Sequence, residues 1–105
     1  MDTQTMDRFE SLRERVVPVL RPYSRRIAVF GSWARGEETS ESDVDILVEL
    51  LPSDRRPPLG LRWFGLEEEL GKILGRPVEL VTFRSLSPYI RRRVEREMVV
   101  LYGEG

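Results

Sequence analysis

The apolar residues of this chain keep changing period, and that alternation limits its fold more than any other feature. Phe9, Leu12, Val16, Val17 and Leu20 recur at helical spacing, which predicts a first helix with one apolar face. Pro18 and Pro22 mark where it ends or kinks. The polar residues before it, Met1 to Asp7, are expected to fray. Ile27-Ala28-Val29-Phe30 is then an unbroken apolar run, the pattern of a buried strand. After Gly31, Ser32 offers a helix N-cap, and only a short helical segment over Trp33 and Ala34 fits before Gly36 stops it. Asp43 to Leu51 reads as a second strand closed by Pro52, and the charges and prolines of residues 52–58 predict a loop without regular structure. From Leu59, residues Trp63, Leu66, Leu70, Ile73 and Leu74 return to a helical period, and Gly75 supplies the stop. Pro77 to Phe83 alternates as a third strand. Ser87 followed by Pro88 is a cap with proline at the first helical position. It opens a last helix with Ile90, Val94 and Met98 on one face. Val99 to Tyr102 fits either that helix's final turn or a short extra strand.

The order α-β-α-β-α-β-α predicts an α/β (α+β) fold, a small mixed sheet of three to four strands covered by helices. The connection between the first two strands is short, so their pairing need not be parallel. The 105 residues fit one domain, residues 1–105.

What the chain lacks narrows its chemistry. It has no cysteine and no histidine. That removes disulfide scaffolds, thiolate metal sites and the commonest general base. A bound metal must take oxygen ligands, which suits Mg²⁺ or Mn²⁺. No apolar run approaches the roughly 20 residues of a membrane span, and no signal core precedes Glu10. A cytoplasmic protein without a membrane role is expected. The net charge of −1 argues against direct nucleic-acid binding by the molecule as a whole. Arg91, Arg92, Arg93 and Arg96 could face RNA or an acidic partner, but they alternate with Glu95 and Glu97 and fit a solvated helix face better.

Residues 31–45 hold the chemistry. A strand ending in Gly31-Ser32 presents free backbone N–H groups to an anion, and glycine allows close approach. Read alone, the pair fits ordinary turn chemistry as well. Asp43 and Asp45 are two apart, so a strand places both carboxylates on one face. Like charges so close repel unless a cation lies between them. Read alone, they also fit a solvated strand start capped by Ser42. Glu79 is the odd charge within Val78-Glu79-Leu80-Val81. It reaches the same face if its strand neighbours that of Asp45, and otherwise it is an outward-facing charge. Trp33 could stack on a base or pack as a core or interface residue, and Trp63 and Phe64 are expected in the core, or one of them at an oligomer surface.

Taken together, Gly31-Ser32-x-x-Arg35-Gly36, then Ser42-Asp43-x-Asp45, with a later strand bearing a third carboxylate, resembles the signature of the polymerase-β-type nucleotidyltransferase superfamily. In so short a chain it looks like the minimal nucleotidyltransferases, the MntA-type antitoxins encoded beside a HEPN-domain toxin, and the ending from Arg91 to Gly103 is similar to that family's closing helix. The resemblance implies that Asp43 and Asp45 hold two metal ions, with Glu79 joining one. It implies that Gly31 and Ser32 hold the β- and γ-phosphates of ATP. Arg35 then pairs with a phosphate or braces the loop through an acidic neighbour. It also implies transfer of AMP onto a protein acceptor, a tyrosine of the HEPN ribonuclease. One departure stands out: the family's third position is most often aspartate, and Glu79 adds about 1.5 Å of reach. That keeps open an alternative, a nucleotide-binding module that neutralises its partner by contact alone. Transfer to a small molecule or an RNA end is a weaker option, because the chain offers no acceptor domain.

Overall fold

The computed structural model describes the backbone of residues 3–103 and the side chains of residues 8–103. Four helices and four strands alternate: α1 (Thr3–Leu20), β1 (Ser24–Phe30), α2 (Ser32–Arg35), β2 (Val44–Leu50), α3 (Arg62–Leu74), β3 (Val78–Thr82), α4 (Pro88–Glu97) and β4 (Val99–Gly103). The sheet runs in the order β3-β2-β1-β4. β1 pairs antiparallel with both β2 and β4, and β2 pairs parallel with β3. The short link through α2 turns the chain straight back, whereas the parallel pair is joined by the longer crossover through α3, as its geometry requires.

Strand parity divides the molecule into two unequal cores. Val44, Ile46 and Val48 of β2, Ile27 and Val29 of β1, and Val78 and Leu80 of β3 face α1 and α3, where Leu12, Val16, Leu20, Leu66 and Leu70 bury against them. The other face is thinner: Ala28, Leu47 and Val94 of α4 form its buried centre, edged by Phe30, Val81, Phe83, Leu86 and Met98. Asp45 and Glu49 share the parity of Leu47, so the charged residues of β2 lie on this thinner face. Side chains tie down both sheet edges. Leu80 N–H of β3 donates to Glu67 Oε2 of α3 at 3.0 Å, and Arg13 Nε of α1 donates to the carbonyl of Leu101 in β4 at 3.0 Å.

Several expected boundaries move. α1 begins at Thr3, within the segment expected to fray, and Met1 and Asp2 lie outside the described residues. α1 carries Pro18 in its last turn and ends at Leu20. There Ser24 Oγ, fully buried, donates to the Leu20 carbonyl at 2.6 Å. β1 starts at Ser24, earlier than its apolar run, because pairing with Leu50 holds it there. The 52–58 loop contains one 3-10 turn, Ser53–Arg55. Val99–Gly103 is a strand, because Met98 is extended (φ −65°, ψ 150°) and breaks the helix. Gly31, not Ser32, precedes α2 as its cap residue, with no side-chain cap bond. Ser87 does cap α4, its side chain accepting from Ile90 N–H, with Pro88 behind it. Trp63 packs against the main core, but Phe64 is 69% exposed and Ile90 is 47% exposed. A helical period names a stripe, and residues at its margin remain in solvent.

Candidate active site

The site is assembled where β1 ends beside the start of β2. Phe30, the last residue of β1, is the register partner of Asp45, and on the other side Asp45 is paired with Glu79. Asp43 lies just before β2, outside the strand in which it was expected. Asp43 and Glu79 are exposed and Asp45 is half-buried. The parallel register therefore brings Glu79 next to Asp45 on the face of Leu47, the arrangement for which its sequence position was ambiguous.

Gly31 closes over this group. Its backbone (φ 71°, ψ −150°) lies in a region that only glycine occupies readily. A Cβ there would fall 2.3 Å from Asp45 Oδ2. The turn therefore rests directly on the carboxylate, and both its conformation and its contact require glycine. α2 is held against the turn by Arg35 N–H to the Gly31 carbonyl (3.1 Å) and Glu37 N–H to the Ser32 carbonyl (2.9 Å). Gly36 then leaves the helix with φ 75°.

The electrostatics record crowding. The Asp45 carboxyl is pushed up to about 6. Burial is the main cause, followed by the charge of Glu79, a hydrogen bond with Glu79 and the charge of Asp43, while Arg35 pulls the other way. Two neighbouring carboxyls that can share a proton can equally share a cation. Among the described residues, no three acidic side chains are gathered closely enough to make a metal cage by themselves. The donor set still fits magnesium or manganese. Both ions take oxygen ligands, and magnesium is commonly held by one or two carboxylates with substrate phosphates completing the shell.

Arg35 settles on acidic neighbours. Its Nε donates to Glu37 at 3.2 and 3.3 Å, and its Nη1 donates to Glu97 Oε2 at 3.1 Å. These bonds raise its pKa further, Glu97 first and Glu37 second. Glu97, the last residue of α4, also accepts from Gly31 N–H through Oε1 at 3.3 Å. Sequence reasoning placed Glu97 on a solvated face. No local signal separates it from Glu95, because its position depends on the pairing of β4 with β1. The arginine cluster divides in the same way. Arg91 donates to the carbonyls of Phe83 (3.1 Å) and Arg84 (3.2 Å) and braces α4, while Arg92, Arg93 and Arg96 are exposed. Trp33 turns to the opposite face and packs against the α1–α3 core. The guanidinium groups of Arg8 and Arg76 lie 5.1 and 5.0 Å from its ring centre.

Residues 10–101 match the model of the nucleotidyltransferase domain family. The chain is 47% identical over 75 residues to the protein adenylyltransferase MntA of Thermococcus cleftensis, covering 71% of this chain and 72% of that one. It is similar to a solved minimal nucleotidyltransferase candidate, with a TM-score of 0.72, 36% identity, and coverage of 94% of this chain and 95% of the other. It is similar also to a crystal structure of a toxin–antitoxin with AMP-PNP, with a TM-score of 0.72 and 29% identity, covering 87% of this chain and 73% of that one.

Proposed function

We propose that this chain, which belongs to the nucleotidyltransferase domain family, is a protein adenylyltransferase that moves AMP from ATP onto a tyrosine of a HEPN-type toxin partner and so acts as its antitoxin. Residues 1–105 would act as one domain, in the cytoplasm where ATP is supplied. The observation that supports the reading is the pairing of Asp45 with Glu79 across the parallel register, with the Gly31 turn resting on the Asp45 carboxylate.

Asp43 and Asp45 would hold magnesium or manganese, with Glu79 joining them. When bound, the metal neutralises triphosphate charge and activates the acceptor oxygen. The chain's own residues supply the rest. Gly31 N–H and Ser32 receive the β- and γ-phosphates, and Arg35 turns to them from its acidic neighbours. The acceptor hydroxyl oxygen then forms a bond to the α-phosphorus in line with the departing pyrophosphate, so catalysis is chiefly positioning and charge neutralisation. The exposure of Asp43 and Glu79 leaves room for an acceptor carried on another protein. Identity to the adenylyltransferase MntA supports the choice of a protein acceptor, and the AMP-PNP-bound toxin–antitoxin neighbour supports an adenine nucleotide and a toxin partner.

The test is incubation of the purified chain with labelled ATP, Mg²⁺ and its toxin partner. Label should appear on the toxin with release of pyrophosphate, and Asp45→Asn should abolish both. The longer Glu79 side chain and the lack, among the described residues, of a ready three-carboxylate cage favour one rival, a module that neutralises the toxin by contact. That rival would form a stable complex, survive Asp43→Ala and release no pyrophosphate.

A further inference from the structure

We infer that Glu97 is a positioning residue that occupies the phosphate turn of the free protein and is displaced by the incoming triphosphate. This rests on the nucleotidyltransferase reading of the same turn. β4 pairs antiparallel with β1, with Val99 opposite Val29, so the register delivers residue 97 beside residue 31. The Glu97 side chain is 20% exposed, and its two oxygens are used separately. Oε1 accepts from the Gly31 backbone N–H at 3.3 Å, and Oε2 accepts from Arg35 Nη1 at 3.1 Å. One backbone amide and one guanidinium around a single anion is the way a phosphate is held. Those two donors are the ones a triphosphate needs.

A backbone amide has one hydrogen, so Glu97 and a phosphate oxygen compete for Gly31. They also carry the same sign of charge, which makes joint occupancy costly. The hydrogen bond that Gly31 N–H donates to Glu97, at 3.3 Å, is at the long end of the hydrogen-bond range and is the readier to yield. Arg35 keeps Glu37 as a second partner, so it stays near the turn when Glu97 leaves. Glu97 thus holds the turn in shape without nucleotide and lowers its affinity for phosphate groups. Triphosphate with bound Mg²⁺ enters by replacing one anion with another.

The experiment titrates the full chain with Mg²⁺–ATP by calorimetry, for wild type, Glu97→Gln and Glu97→Ala, and follows the Gly31 amide resonance by NMR. Glu97→Gln keeps the size and one acceptor oxygen but removes the charge. It should bind Mg²⁺–ATP about tenfold tighter, the scale of one charge-assisted hydrogen bond. With toxin as acceptor its KM for ATP should fall while kcat holds, because the change acts on binding alone. In wild type, ATP should shift the Gly31 amide as the Glu97 bond is exchanged. Wild-type binding with equal or weaker affinity in Glu97→Gln would overturn the inference and leave the nucleotidyltransferase reading standing. A Gly31 amide unmoved by ATP would do the same. Weaker binding in Glu97→Ala alone, with Glu97→Gln tightened, supports it and shows that the side chain also shapes the turn. Failure of wild type to bind Mg²⁺–ATP would overturn both readings together.

Discussion

Asp45→Asn should make the protein more stable at neutral pH while abolishing transfer. The Asp45 carboxyl is raised from 3.8 to about 6 by burial, by Glu79 and by Asp43. A shift of about two units corresponds to about 3 kcal/mol at full weight. The side chain lies at a solvent-reached rim, so screening reduces this to about 1–2 kcal/mol. The sign follows from linkage. A carboxyl whose folded pKa is raised stabilises the fold fully below its ordinary value of 3.8, and that contribution is lost as the pH rises through about 6. At pH 7.5 the wild type therefore holds an ionised group that the fold resists. Asparagine keeps the shape, clears Gly31 as aspartate does, and can still donate to Glu79. Metal-free thermal melts at pH 7.5 should show Asp45→Asn about 5–10 °C above wild type, and the gap should narrow at pH 4.5. Mg²⁺–ATP should raise the wild-type midpoint and leave that of the variant almost unmoved. A variant that melts below wild type at pH 7.5, or a gap of equal size at both pH values, would refute the reasoning.

Four further outcomes test the rest of the site and the core. Gly31→Ala would place a Cβ 2.3 Å from Asp45 Oδ2 at φ 71°. It should cost about 1–3 kcal/mol of stability in denaturant melts and also displace the carboxylate, so transfer should fall even at temperatures where the variant is folded. The kcat/KM for transfer should decline as the pH drops through about 6, because Asp45 protonated in the metal-free protein cannot take up a metal. Glu79→Gln removes the largest neighbouring charge and should move that acid limb to lower pH, which a pH–rate profile of any residual activity reads directly. Leu70→Ala, at a site 0% exposed beneath the sheet, should cost about 2–5 kcal/mol while leaving transfer near wild type below its lowered melting temperature.

What could be read from the sequence was whatever is decided by neighbours along the chain. Gly75 stops α3 in a left-handed turn (φ 71°), and Ser87 with Pro88 starts α4, each from residues within one turn. Period-two parity likewise puts Asp45 on the face opposite Ile46. The uncertain features were those that depend on which strand lies beside which. Glu79 reads as surface or site with equal ease until the parallel register pairs it with Asp45. Glu97 is indistinguishable from Glu95 until β4 is laid against β1. Ile73 belongs to the apolar period of α3, yet it is 39% exposed because the helix meets the sheet along a narrower stripe than the period covers, and Phe64, outside that period, is 69% exposed. Glu79 and Glu97, both charged neighbours of the site, are therefore both placed by strand pairing. Under the proposed function their charges would act in opposite senses on a substrate. Glu79 would add to a negative cluster that draws a metal. Glu97 would shield Arg35 and Gly31 from anions. A metal-bound triphosphate satisfies both at once, since its cation answers the first and its phosphates take over from the second, whereas free Mg²⁺ or free phosphate answers only one.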